Sequence, residues 1–147
     1  MHVNQQVREA IKAKLLNTGA FAMVATNRGA NLEEVDLPAA IITTTSDDIT
    51  TETKDEPIPE RRIIRVSVVI VADAAMEDLD DRMDDLRVEV EKALAGDLDG
   101  LAFRMEHVGA TLEVGTDEEG QHWFAFYALE WEVELWTRQG QPDEVWR

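Results

Sequence analysis

Apolar residues recur along this chain with two different periods, and each change of period marks an element. Val3, Val7, Ala10, Ile11 and Leu15 fall three and four residues apart, with Arg8, Glu9, Lys12 and Lys14 mostly between them. That spacing predicts an amphipathic helix, and Gly19 just beyond it supplies a stop. The apolar stretch "AFAMVAT" (20–26) suits a short strand, "NRGANLEEVD" (27–36) a loop, and "PAAIITTT" (38–45) a second strand, whose branched threonines favour a pleated surface. Residues 46–60 are polar and acidic and carry Pro57 and Pro59. Proline removes a ladder donor and biases its predecessor away from helix, so this segment is expected to be a mobile acidic loop or a protruding arm.

In "RRIIRVSVVIVAD" (61–73), Ile64, Val66, Val68 and Ile70 share one face, with Arg65 and Ser67 on the other, which predicts a buried strand. The helical period then returns. Met76, Leu79, Met83, Leu86, Val90 and either Ala93 or Leu94 form one stripe, Glu77, Asp78, Asp80, Asp81, Asp84 and Asp85 fill the opposite side, and Gly96 is placed to end the helix. Two strands close the pattern. Val108, Ala110, Leu112 and Val114 share a face of the first, "DEEG" (117–120) makes a turn, and "QHWFAFYALEWEVELWT" returns as the second arm of a hairpin. Residues 1–137 are expected to form one domain, with an irregular tail over 138–147.

The order α-β-β-β-α-β-β, with short links between most strands, predicts an α+β fold. Its sheet should have about five strands, mostly antiparallel, with both helices on one face. The other face is then free for water or for a neighbour. On the last strand that free face holds Phe124, Phe126 and Trp136 beside a row of carboxylates, Glu130, Glu132 and Glu134. The plainer reading tucks the aromatics under the 46–60 segment or the tail. The sharper one makes them part of a subunit interface with an acidic strip alongside. Arg61, Arg62 and Arg65, the one basic cluster, would either guard a strand end or meet an acidic surface on a neighbouring copy.

Composition narrows the function. Against 31 Asp plus Glu stand only 14 Lys plus Arg, a formal charge of -17, which opposes any grip on phosphate backbones. No cysteine is present, so there is no thiol nucleophile and no thiolate metal site. The N-terminus lacks the apolar stretch of a signal peptide and no run is long enough to span a bilayer, so no export and no membrane association are expected, with the cytoplasm as the default. His2, His107 and His122 make no zinc motif, although the last two could approach one another across the final hairpin. Neither Ser46 nor Ser67 sits in a nucleophile elbow, and no phosphate-binding glycine loop occurs. The acidic run "EDLDDRMDD" fans out along a helix, where hard cations need converging oxygens, so it reads as a solvated face. No catalytic residue, cofactor or metal is expected.

Several phrases in this order carry a resemblance: "VREAIKAKLL", "EEVDLPAAII" running into a strand, the polar segment before "IIRVSVVIVAD", "LDDRMDDLRVEVEKAL" and a closing hairpin ending in "ALEWEVEL". Together they resemble the tail terminator proteins of long-tailed phages, the lambda minor tail protein U family, over nearly the whole chain. The closest local match is Asp36, Leu37, Pro38 and Ala39, and the departure is the extra tail after residue 137. The resemblance implies a non-enzymatic virion protein at the head-proximal end of the tail. Its copies would form a ring, by family a hexamer, that caps the tail tube, stops its polymerisation and offers a surface to the head. The implied partners are further copies, the major tail tube protein and a head-completion protein, with DNA passing through unbound. Glu130, Glu132 and Glu134 would then line or border the hole. Another head-to-tail neck protein, an oligomeric binding module outside any phage, and a metal-dependent hydrolase using the Asp-rich helix are the competing expectations.

Overall fold

In the computed structural model the chain forms α1 (Val3–Thr18), β1 (Met23–Ala25), β2 (Ala39–Thr51), β3 (Pro59–Ala74), α2 (Met76–Ala93), β4 (Arg104–Thr116) and β5 (Trp123–Arg138). The structure describes residues 1–26, 29, 33, 36–51, 53–116, 119–120 and 122–146. The loop expected at 27–36 and the turn expected at 117–120 lie largely outside them. The expected α+β order and five-stranded sheet are present. Strands run β1-β2-β3-β5-β4 across the sheet, antiparallel at every boundary except the short parallel pairing of β1 with β2.

Each helix forms where its pattern predicts. Val3, Val7, Ile11 and Leu15 of α1 are fully buried. The helix starts with His2 Nδ1 accepting from the Asn4 N–H at 3.0 Å and stops at Gly19, whose φ of 68° is left-handed. Leu79, Met83, Leu86 and Val90 form the buried stripe of α2, and Glu77 and Asp78 in its first turn complement the helix dipole. Met76 falls outside the expected stripe, 65% exposed at the first helical position, and the helix ends before Gly96. No described helix is long and apolar enough to cross a membrane.

The two helical stripes join Ile64, Val66, Val68 and Ile70 of β3 and Leu129, Trp131, Val133 and Leu135 of β5 in one hydrophobic cluster. Fully burying each such aliphatic side chain contributes about 1.5–3 kcal/mol. The helices pack over β1, β2, β3 and β5. Along β4 the layer runs out, and Leu112 and Val114 on the helix side are 38% and 49% exposed. The β4–β5 register shifts between His107 and Gly109, which leaves Val108 as the extra residue of a bulge, 39% exposed.

Of the two forms expected for residues 46–60, the structure shows the protruding arm, with an irregular tip over 53–58. β2 continues to Thr51 and β3 begins at Pro59, with pairs running from Ser46↔Arg65 to Thr51↔Glu60, so most of the segment is a protruding two-stranded arm. Pro59 is tolerated because it is the first residue of its strand. What the acidic composition concealed is a buried cation inside the arm. Arg62 is 5% exposed, on the core side of the sheet beyond the helices, and its guanidinium meets Asp47 Oδ2 at 2.7 Å, Glu60 Oε2 at 3.5 Å and Thr137 Oγ1 at 2.9 Å. The tail beyond β5 is tied down, with an isolated bridge between Arg138 and Gln141. Pro142 O accepts from the Val3 N–H at 2.8 Å, and the Trp146 N–H donates to Trp136 O at 2.7 Å.

Candidate interaction face

The face of the sheet turned away from the helices is assembled by strand parity and register. Odd-numbered residues of β3 and even-numbered residues of β5 point to it, and pairing sets Arg61 beside Trp136, Ile63 beside Glu134, Arg65 beside Glu132, Ser67 beside Glu130 and Val71 beside Phe126. On the flanks, Asp48 of β2 is level with Ile63, while Arg104 and Glu106 of β4 are level with Glu134 and Glu132.

The carboxylate row is therefore not a bare acidic strip. Arg61 Nε donates to Glu134 Oε1 at 2.7 Å, Arg65 Nη2 to Glu132 Oε1 at 2.7 Å, and Arg65 Nη1 to Glu130 Oε2 at 3.4 Å. The hydrogen bond that Arg65 donates to Glu132 chiefly, with the charges of Glu130, Glu132 and Asp48 helping, pushes the Arg65 pKa up from its ordinary value against the opposing effect of desolvation. With 40% of the Arg65 side chain in contact with solvent, each pair stabilises little by itself. What the ladder does is hold an array of mixed charge in register across the uncovered face.

The expected site residues divide accordingly. Arg61 and Arg65 reach the free face, but the acidic surface they meet is the chain's own. Arg62 does not belong with them: one residue out of phase, it points to the opposite side of the sheet and is enclosed by Asp47, Glu60 and Thr137. Glu130 and Glu132 are partly exposed, whereas Glu134, 9% exposed beneath Arg61, has little surface to offer a channel. Phe126 is 42% exposed and Phe124 half-buried, with the His122 ring 4.6 Å from Phe124. The tail folds over the Trp136 end of β5, and Trp136 lines a cleft of about 300 Å³ with Phe103, Val145 and Trp146.

The two hairpin histidines do not come together. His107 lies on the helix side, stacked on Trp131 at 4.3 Å, with Nε2 3.1 Å from Glu91 Oε1. His122 lies at the other end of β5, with Nε2 2.9 Å from Asp73 Oδ2. Among the described residues no group of three or more His, Asp or Glu side chains is placed to hold a metal ion. The arginine partners of the glutamate row were the feature that reasoning from sequence missed. Their phase was visible in "RRIIR", but their proximity depends on β5 lying next to β3, which local pattern does not specify.

No protein-family model matches the sequence, and no curated protein matches it significantly. Among solved structures, a similar chain occurs in the virion of a native gene transfer agent particle, at 17% identity and a TM-score of 0.35, covering 90% of this chain and 92% of that one. A likeness of that strength carries no argument about role.

Proposed function

We propose that this chain is a non-enzymatic structural protein of a phage-like virion, a tail terminator whose copies form a ring, by family a hexamer. The ring caps the tail tube, stops its polymerisation and offers its far side to the head. The observation that carries this reading is the sheet face the helices leave uncovered, where a fixed Arg–Glu ladder adjoins an apolar end with Phe126 exposed. A face of that kind is built to be met by another protein surface. The polymer argument supports it too: a growing tube ends in a surface that templates the next layer, and a closed ring seated on that surface offers no equivalent surface beyond it.

In this reading Phe124 and Phe126 contact a neighbour, and the ladder of Glu130, Glu132 and Glu134 with Arg61 and Arg65 borders the hole. The wall is then mixed in charge. Repulsion of passing DNA comes from the excess of acids over the whole chain, -17 in all, and no specific DNA binding is involved. The partners are further copies, the major tail tube protein and a head-completion protein. Electron micrographs of the purified protein mixed with tail tubes test the proposal. A ring on one end of each tube, with lengthening arrested, is the expected result. A protein that stays monomeric at high concentration and leaves tubes bare and growing would overturn it.

A further inference from the structure

Of the ten large apolar residues exposed among the described ones, four, Phe103, Val108, Leu112 and Val114, fall on or beside one strand, β4, at the end of the sheet. β4 pairs with β5, and no backbone hydrogen bond joins 104–116 to any other described element. Its outer side is open, with every residue from 110 to 114 exposed. Proteins that work as monomers blunt such an edge with lysine, proline or a short strand, because unpaired backbone groups invite another chain. β4 runs for 13 residues with neither lysine nor proline.

We propose that β4 pairs antiparallel with β4 of a second copy across a two-fold axis, with Arg104 opposite Glu113. The bulge at Val108 restricts the register. Before it, Arg104 and Glu106 share the helix-free face; after it, Thr111 and Glu113 do, level with Ala128 and Phe126. Residues on one face of a strand also turn their backbone groups to one side, so a residue before the bulge can pair with one after it where their faces agree. Charge then decides. Arg104 opposite Glu113 brings Glu106 to Thr111, whereas a shift to the next such register sets Glu106 against Glu113, like charges directly opposed. Within its own chain Arg104 has only a 3.4 Å contact with exposed Glu106, and Glu113 makes no ion pair among the described residues. The same register sets Met105 opposite Leu112 and brings Phe103, 73% exposed, level with Val114, so the exposed apolar residues meet one another. Because α2 packs over β3 and β5, the two α2 axes stand four strand spacings apart, roughly 19 Å, which leaves the acidic helices out of contact. The contact is isologous and closes at two copies, so it goes beyond the ring reading and does not rest on it.

The chain has no native cysteine, which makes the test direct. Positions 104 and 113 lie on one strand, roughly 30 Å apart, so no internal disulfide can join them. Mild oxidation of an R104C/E113C variant at high concentration should give one covalent species, a dimer, while each single variant stays largely monomeric. Monomer alone, a ladder of oligomers beyond two, or efficient dimers from A110C alone would overturn the proposal. Charge exchange is the second measurement. In sedimentation equilibrium R104E and E113R should each weaken dimerisation about tenfold, by opposing like charges at both ends of the contact, and R104E/E113R should restore it. Both side chains are exposed, so all three variants should melt like the parent. Single variants that dimerise like the parent, or a double variant that does not recover, would sink the register. Rings on tail tubes from a protein that forms no 104–113 cross-link would sink the edge contact and leave the terminator reading standing. Cross-linked dimers beside bare, growing tubes would do the reverse.

Discussion

Replacing Arg62 by methionine should cost far more stability than any substitution in the exposed ladder, although both sites are arginines on the same strand. Arg62 has 7% of its side chain exposed, and its partners Asp47 and Glu60 have 16% and 14%. Methionine keeps most of the volume and removes the charge, leaving two carboxylates with little access to water and no cation between them. Breaking a buried pair from one side costs about 3–5 kcal/mol, because the remaining charge loses both partner and solvent. A chain of 147 residues has an unfolding entropy near its melting point of roughly 0.3 kcal/mol per kelvin, so the loss corresponds to a Tm about 10–16 °C lower. Arg65→Ala, which removes two solvent-exposed pairs, should lower Tm by only a few degrees. Urea titrations followed by tryptophan fluorescence give both free energies, and hydrogen exchange across 47–60 shows whether the loss begins in the arm. Adding Asp47→Asn and Glu60→Gln to the Arg62→Met background should recover part of the stability, since the carboxylates then need no cation. If Arg62→Met and Arg65→Ala proved equally mild, in melting and in exchange of the arm, the assignment of a buried charge cluster would be wrong.

Three further substitutions test other parts of the structure. Leu129→Ala empties a fully buried position at the centre of the cluster and should cost about 2–5 kcal/mol in urea unfolding. At Gly19 an added Cβ meets nothing within 4 Å, so Gly19→Ala should carry only the strain of a left-handed φ, about 1 kcal/mol, and lower Tm by a few degrees. The variant E130Q/E132Q/E134Q releases Arg61 and Arg65 from their partners; it should bind duplex DNA measurably at low salt, lose that binding as salt rises, and slow DNA delivery by particles that carry it. Unchanged DNA anisotropy and infectivity would remove the ladder from the channel wall.

Much of this fold was legible because burial imposes a period. The α1 stripe, the even-numbered residues of β3 and the alternation of β5 each had to match a covered face, and they stand where the spacing predicts. The misreadings cluster where side chains found partners that spacing does not encode. Residues 46–60 could be read as a loop or an arm because a paired acidic strand and an unpaired one have the same composition; the distinction is made by Arg62, fifteen positions from Asp47 along the chain. Arg61, Arg62 and Arg65 look like one basic cluster until the period of two is applied strictly, which sends Arg62 to the other face. The glutamate row was legible as a row. Its partners were not, because β5 enters the sheet between β3 and β4, out of sequence order.

Pairing within the ladder also changes where the net charge of the molecule can act. Glu130 and Glu132 share Arg65, and Glu134 is bonded to Arg61, so that part of the sheet face exerts a weaker field than its composition suggests. α2 is less fully compensated: its 18 residues hold eight acids against three bases, a net of -5, with Arg87 paired to Glu91. Two copies brought together through their α2 surfaces would set like charges within a screening length, about 8 Å at physiological salt, whereas the uncovered sheet face presents charges of both signs and the exposed Phe126. Electrostatics and hydrophobic exposure thus favour the same side of the molecule for contact between copies. An assembly built that way keeps its helices, with the net charge of -5 on α2, on the side away from its contacts.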